Sequence, residues 1–210
     1  MVTRLDELNI LRSQPYKEYF AVMDLAPEAS ESRIRFSEAF ESMLTTVMYT
    51  ISVMLDYNTV NWEYIEDMIV DGYEEILEDF ATPDDYTSEV VHTYAKEFVE
   101  ATHNAVEGAD LTYALSIDLA MYNAENEANT TLNYADYKDA IKQGYTKKTW
   151  HTEQDNRVRK THVPLDGMTI PIFEYFKVGS SYMRFPRDLS MPNVDSREVV
   201  NCRCTVTYGR

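Results

Sequence analysis

The chain's two cysteines stand two residues apart near its end, in Asn201-Cys202-Arg203-Cys204. His162 lies forty residues upstream of Cys202, inside the Trp150–Gly167 stretch WHTEQDNRVRKTHVPLDG. On an extended strand, residues two apart project to the same face, so both thiols can grip one ion. A disulfide between so close a pair needs unusual geometry. Zinc takes thiolate and imidazole donors in a tetrahedron, which makes His162, Cys202 and Cys204 candidate ligands, with Asp155 or His151 able to supply a fourth. The alternative leaves both cysteines as free thiols, one packed in a small core, and His162 hydrogen-bonded to a loop carbonyl.

Basic side chains gather around the same segment. Arg157, Arg159 and Lys160 fall within four residues, Lys147 and Lys148 precede them, and Arg184, Arg187, Arg197 and Arg203 follow. Such groups neutralise phosphates, or equally pair with acids of the same chain. Asp155 beside Arg157 reads as a structural ion pair at least as readily as a catalytic couple. Tyr175, Phe176, Tyr182 and Phe185 lack helical spacing and stand near Lys177 and Arg184, which suits a docking surface. An enzymatic alternative is a small metal-dependent, nuclease-like hydrolase, with Asp155 or His162 as general base and Arg157 and Arg159 holding a phosphate. No glycine-rich phosphate loop, His-Glu-x-x-His or nucleophile elbow is present.

The segment that must position these groups has little helical periodicity. Pro164, Pro171, Pro186 and Pro192 interrupt any long helix after Gly144, and Met168-Thr169-Ile170 and Val199-Val200 are short β-prone runs. Asp166-Gly167 suits a tight turn with positive φ, as in a hairpin. A loop-rich α+β module with so little apolar material needs a staple, a metal or a partner.

The preceding residues read as helix after helix. Phe36, Phe40, Met43, Leu44, Val47, Met48, Ile51, Met54 and Leu55 form one apolar stripe on a helix over about Ser30–Leu55. Asn61 is placed to cap a second helix that buries Trp62, Ile65, Ile69, Tyr73, Ile76, Leu77 and Phe80. Thr82-Pro83-Asp84-Asp85 signals a third, with Thr82 as cap and Pro83 at the first helical position, ending at Gly108 in a left-handed turn. A further helix runs from about Leu111 to Ala128, and another starts near Tyr134.

The expected class is therefore α+β, with an acidic helical region at 1–140 and a basic module at 141–210. The first part holds 7 Lys/Arg against 29 Asp/Glu, net −22; the second holds 12 against 7, net +5. An acidic body is repelled from nucleic acid, while a basic end can face something negative. A DNA-binding accessory protein whose acidic half blocks non-specific contacts is a further alternative. Only eight lysines also suit a high-salt environment. No run of 18 uncharged apolar residues occurs, and the N-terminus lacks a leader-like apolar stretch, so a membrane span or secretory signal is not expected.

Taken in order, Trp150, Thr152, Asp155, Arg157, Arg159, His162, Leu165-Asp166-Gly167, Pro186 and Asp188 flanking Arg187, and Asn201-Cys202-Arg203-Cys204 resemble the C-terminal domain of the phage Mu protein F-like minor head proteins, also called phage head morphogenesis proteins. The resemblance covers about 60 of 210 residues and none of the helical region. It implies a low-copy, non-enzymatic component of a tailed-virus head, found in the virion and, during assembly, in the host cytoplasm. The implied partners are the portal protein, the major capsid protein and, in some members, the packaged DNA. Carried onto this chain, His162, Cys202 and Cys204 become the staple, with zinc as the expected ion and Asp155, Arg157 and Arg159 as supporting polar residues. Arg157, Arg159, Lys160, Arg184, Arg187 and Arg203 are the residues expected to meet DNA or a partner. Some members are fused to toxin domains; with six residues after Cys204, none is expected here.

Overall fold

Phe36, Phe40, Leu44, Val47, Met48 and Ile51 lie buried on one stripe of the first long helix, α1 (Pro27–Asp56). The computed structural model describes residues 14–23, 25–108 and 111–210, with a helical segment at 14–20 ahead of α1. The N-terminal stretch read for a leader lies outside the described residues, apart from its last residue, Gln14. Helix α2 (Trp62–Phe80) starts on Asn61, whose side chain accepts from the Tyr64 N–H, and buries Ile65, Ile69, Tyr73 and Leu77. Helix α3 (Asp85–Glu107) starts two residues later than expected. Its cap is Asp84, not Thr82, because the Asp84 carboxylate takes the Tyr86 and Thr87 N–H groups while the Thr87 hydroxyl answers the Asp84 N–H. Gly108 closes α3 with φ −81°, in right-handed geometry instead of the left-handed turn expected.

A single turn, α4 (Leu111–Ala114), leads into α5 (Ile117–Lys142). This is one continuous helix where two were expected. Its buried face carries Asn126, Asn129, Thr130, Thr131 and Asn133, so the apolar spacing that marks the earlier helices is missing. Arginines fill the gap: Arg33 donates to Asn129 and Asn133 and pairs with Asp136 at 3.2 Å.

The rest of the chain is built from short pieces. Strand β1 (Lys147–His151) is central in an antiparallel sheet of order β2-β1-β5, between β2 (Thr169–Pro171) and β5 (Thr205–Gly209). Gly167 takes φ +73° as its sequence predicts. It does not close a tight hairpin, because β2 pairs back with β1 across a loop that includes a 3-10 turn at Val163–Leu165. Strands β3 (Phe176–Val178) and β4 (Ser181–Met183) form a hairpin around Gly179-Ser180. Val199 ends a short helix, α6 (Ser196–Val199), so Val199-Val200 is not a strand. Trp150, Leu165, Phe176, Val178, Met183, Val199, Cys202 and Cys204 make the module's small core.

By internal contact, residues 14–34 with 126–210 form one compact unit and residues 35–125 the other. A linear cut at residue 140 does not describe this division. Side chains on the second half of α5 bond directly to the loops of the β-containing module, Asn133 to the Pro186 carbonyl and Thr130 and Asn126 to Arg187.

Candidate functional site

Three elements deliver the donors. His162 leaves the 152–161 loop just before the 3-10 turn, and its N–H is held by the Arg159 carbonyl at 2.9 Å. Helix α6, capped by Asp195, presents Glu198 inward. The chain then turns at Asn201, whose φ of +55° an asparagine tolerates, so that Cys202 and Cys204 run toward β5.

This turn is braced from several directions. The Asn126 amide oxygen on α5 accepts the Asn201 N–H at 3.1 Å, and its NH₂ donates to the Asn201 side chain at 3.3 Å. Arg187 donates to the Val199 carbonyl at 2.6 Å, and Arg159 donates to the Val200 carbonyl.

His162, Cys202 and Cys204 come together, with their candidate donor atoms all within 4.8 Å of one another, and all three residues are at most 5 % exposed. The His162 Nδ1 faces both sulfurs, 3.4 Å from Cys204 and 3.7 Å from Cys202. Its Nε2 lies 3.1 Å from Glu198 Oε2, which also accepts the Thr161 hydroxyl at 2.7 Å. Gly179 makes room for this carboxylate: a Cβ there would stand 2.4 Å from Glu198 Oε1, and its φ is +60°.

The electrostatics follow from these contacts. The hydrogen bond from Cys204 outweighs burial and, with His162, holds the Cys202 thiol well below its usual range. Its bond to Cys202 and burial together push Cys204 up. The buried Trp150 indole N–H meets no acceptor at normal hydrogen-bond distance, and acts on Cys204 in the opposite sense, favouring a thiolate. Burial disfavours charge on His162, but the neighbouring Cys202, with Glu198, raises it on balance. Two sulfurs and one imidazole in a water-poor corner are donors of the kind zinc takes.

The other expected site residues fall elsewhere. Asp155 is not in the cluster; Arg203 holds its carboxylate at 2.8 and 2.9 Å, and this bond, with Arg157, keeps the acid below its usual range. His151 points its Nε2 at Thr207, 2.7 Å away. Asp166 organises the loop, accepting the Thr152 N–H at 2.8 Å and Gln154 at 2.9 Å.

Three of the six arginines and lysines expected to face DNA or a partner are internal braces. Arg184 grips Asp188 with Nε and Nη2; burial pushes that acid up, but the bonds from Arg184 and Ser190 hold it below the carboxylate range. Arg187, 6 % exposed, donates to Thr130 and Asn126 on α5, and Arg203, 8 % exposed, is bound to Asp155. Arg157 and Lys160 remain exposed and Arg159 half-buried. Of the four aromatic residues expected on a docking surface, Phe176 and Phe185 are core, while Tyr175 and Tyr182 are exposed. Glu198 was missed by sequence reasoning. A carboxylate four residues ahead of the first cysteine was the available signal, but in Asp195-Ser196-Arg197-Glu198 it reads as a first-turn helix acid.

A helix-braced β module with a buried His-Cys-Cys corner is thus the class of structure that this sequence builds. The chain belongs to the phage Mu protein F-like family, whose model matches residues 89–207 and so reaches well upstream of the resemblance seen in the motifs. The added stretch includes all of α5, whose Asn126 and Thr130 receive Arg187 of the module. Among curated proteins, the chain is 28% identical over 111 residues to the NAD(+)--arginine ADP-ribosyltransferase EFV of Enterococcus faecalis (strain ATCC 700802 / V583), covering 52% of this chain and 22% of that protein. The chain therefore matches only about a fifth of that relative's length. No solved structure matches. The family is one of phage head morphogenesis, a structural role. No helix among the described residues is long and apolar enough to cross a membrane.

Proposed function

We propose that this chain is a minor head protein that seats on the portal or on capsid protein during head assembly, through the exposed basic loop of its β module. Family membership supports the head role, and one observation supports this surface. After Arg184, Arg187 and Arg203 are taken up inside the fold, Arg157 and Lys160 remain exposed on a single loop with Arg159 beside them. An acidic groove on an oligomeric partner matches such a loop. DNA is the less suited partner, because the whole chain carries −17 and duplex DNA repels it at distances beyond the loop.

The hydrolase alternative gains nothing from the geometry. Both ring nitrogens of His162 are engaged, and Asp155 is held by two arginines, so neither stands ready as a base. The transferase activity in the relative's name belongs to a protein of which this chain matches about a fifth, and it is not part of this proposal.

Mixing the purified chain with portal oligomers at moderate salt and separating by size tests the reading. Co-elution is expected, reduced at least tenfold in apparent affinity by Arg157→Glu with Lys160→Glu. No co-elution with portal or with capsid protein would overturn it.

A further inference from the structure

We propose that His162 Nδ1, Cys202 Sγ and Cys204 Sγ bind one Zn²⁺, with Glu198 as the outer carboxylate that orients the imidazole. Bonds of about 2.3 Å to sulfur and about 2.0–2.1 Å to nitrogen, at the tetrahedral angle, set the nitrogen about 3.6 Å from each sulfur. The observed separations are 3.4 and 3.7 Å. A single histidine nitrogen sharing its lone-pair side with two sulfurs at that spacing is what a common ion between them requires. Neither cysteine is in a disulfide.

The groups that surround the donors point the same way. With Nε2 bonded to Glu198 at 3.1 Å, the ring proton belongs on Nε2 and the Nδ1 lone pair faces the sulfurs. Thr161 clamps the same carboxylate oxygen, and Gly179 leaves the space that it occupies. The buried Trp150 N–H lacks an acceptor of normal length, and a metal-bound Cys204 thiolate beside it is a stronger acceptor than a thiol. The Cys-x-Cys turn is also fixed by Asn126, Arg187 and Arg159, so the donors are placed by the fold.

Three protein donors leave a fourth position. A pocket lined by the three ligands together with Glu153, Arg157 and Arg159 opens beside them. The ion's task is structural, tying the 152–161 loop to the strand that ends the sheet.

The test uses the full chain purified under reducing conditions. Elemental analysis is expected to give one zinc per chain, with both thiols unreactive to a disulfide reagent until a chelator is added. Cobalt exchanged into the wild-type chain is expected to show thiolate-to-cobalt charge-transfer absorption and the intense visible bands of a tetrahedral site, which needs no variant to fold. Glu198→Gln is expected to keep one zinc and lose roughly 10–100-fold in affinity, read by competition with a coloured chelator. A metal-free chain whose thiols react at once, a cobalt spectrum without sulfur bands, or a mass short of two hydrogens from a Cys202–Cys204 disulfide would each overturn the site. Unchanged zinc affinity in Glu198→Gln would overturn the role of the carboxylate.

Discussion

Lys148 carries a charge into the core of the β module. It is fully buried in the central strand, its Nζ has no hydrogen-bond partner, and the ammonium sits 5.2 Å from the Tyr137 ring and 5.4 Å from the Phe176 ring. Cation–π attraction offsets only part of the lost hydration. Burial therefore lowers the pKa of Lys148 to about 8, with Asp188 opposing and Arg184 adding to the shift. Protonation costs the folded state more than the unfolded one. Stability contributed by this residue thus rises with pH between about 8 and the unfolded lysine value of about 10.4, by at most about 1.4 kcal/mol per pH unit. Denaturant titrations of wild type and Lys148→Met at several pH values isolate the effect, because the other titrating groups are common to both. The variant is expected to be more stable at pH 7, with the difference shrinking toward pH 10; a difference independent of pH would contradict the buried charge.

At the scale of elements, α5 decides whether the site holds its shape. Arg187 enters from a backbone position with φ +65°, and spreads its guanidinium over Thr130, Asn126 and the Val199 carbonyl, with Glu127 at 3.9 Å. Removing one partner from a buried charged network costs about 3–5 kcal/mol. Arg187→Ala is expected to lose stability on that scale by chemical denaturation. Lysine is expected not to restore it, since one ammonium cannot reproduce the planar fork. A loss below about 1 kcal/mol would show that the network is incidental.

The same helix marks the limit of what the sequence reveals. Helices α1, α2 and most of α3 are legible because apolar residues such as Phe40, Leu44, Ile69 and Tyr73 repeat at the helical period. Helix α5 is not, because a polar face that buries arginines looks like a solvated one until its partners are known. The site divides in the same way. Cysteines two apart with a distant histidine are recognisable by donor type alone. Arg187 and Arg203 have the composition of a binding surface, and only the fold turns them inward. Asp155 has the donor type of a fourth ligand, yet Arg203, forty-eight positions away, takes it.

For the molecule as a whole, charge is the dominant long-range term, and it is concentrated. The unit spanning residues 35–125 holds 2 Lys/Arg against 20 Asp/Glu. On α2, Glu63, Asp67, Asp71, Glu75 and Asp79 are all exposed and follow one another at four-residue spacing, so each neighbouring pair repels. Like charges at this spacing cost about 0.2–0.5 kcal/mol per pair, and salt removes that cost as the screening length falls from about 10 Å at 0.1 M to about 3 Å at 1 M. The melting temperature is therefore expected to rise with sodium chloride over that range. Glu75→Lys replaces two repulsions, with Asp71 and Asp79, by two attractions. It is expected to stabilise the chain by about 1 kcal/mol at low salt and by much less at 1 M, as measured by thermal unfolding at both concentrations. A gain that survives high salt would assign the effect to helix propensity instead of charge. A melting temperature that does not respond to salt would contradict repulsion along the acidic stripe.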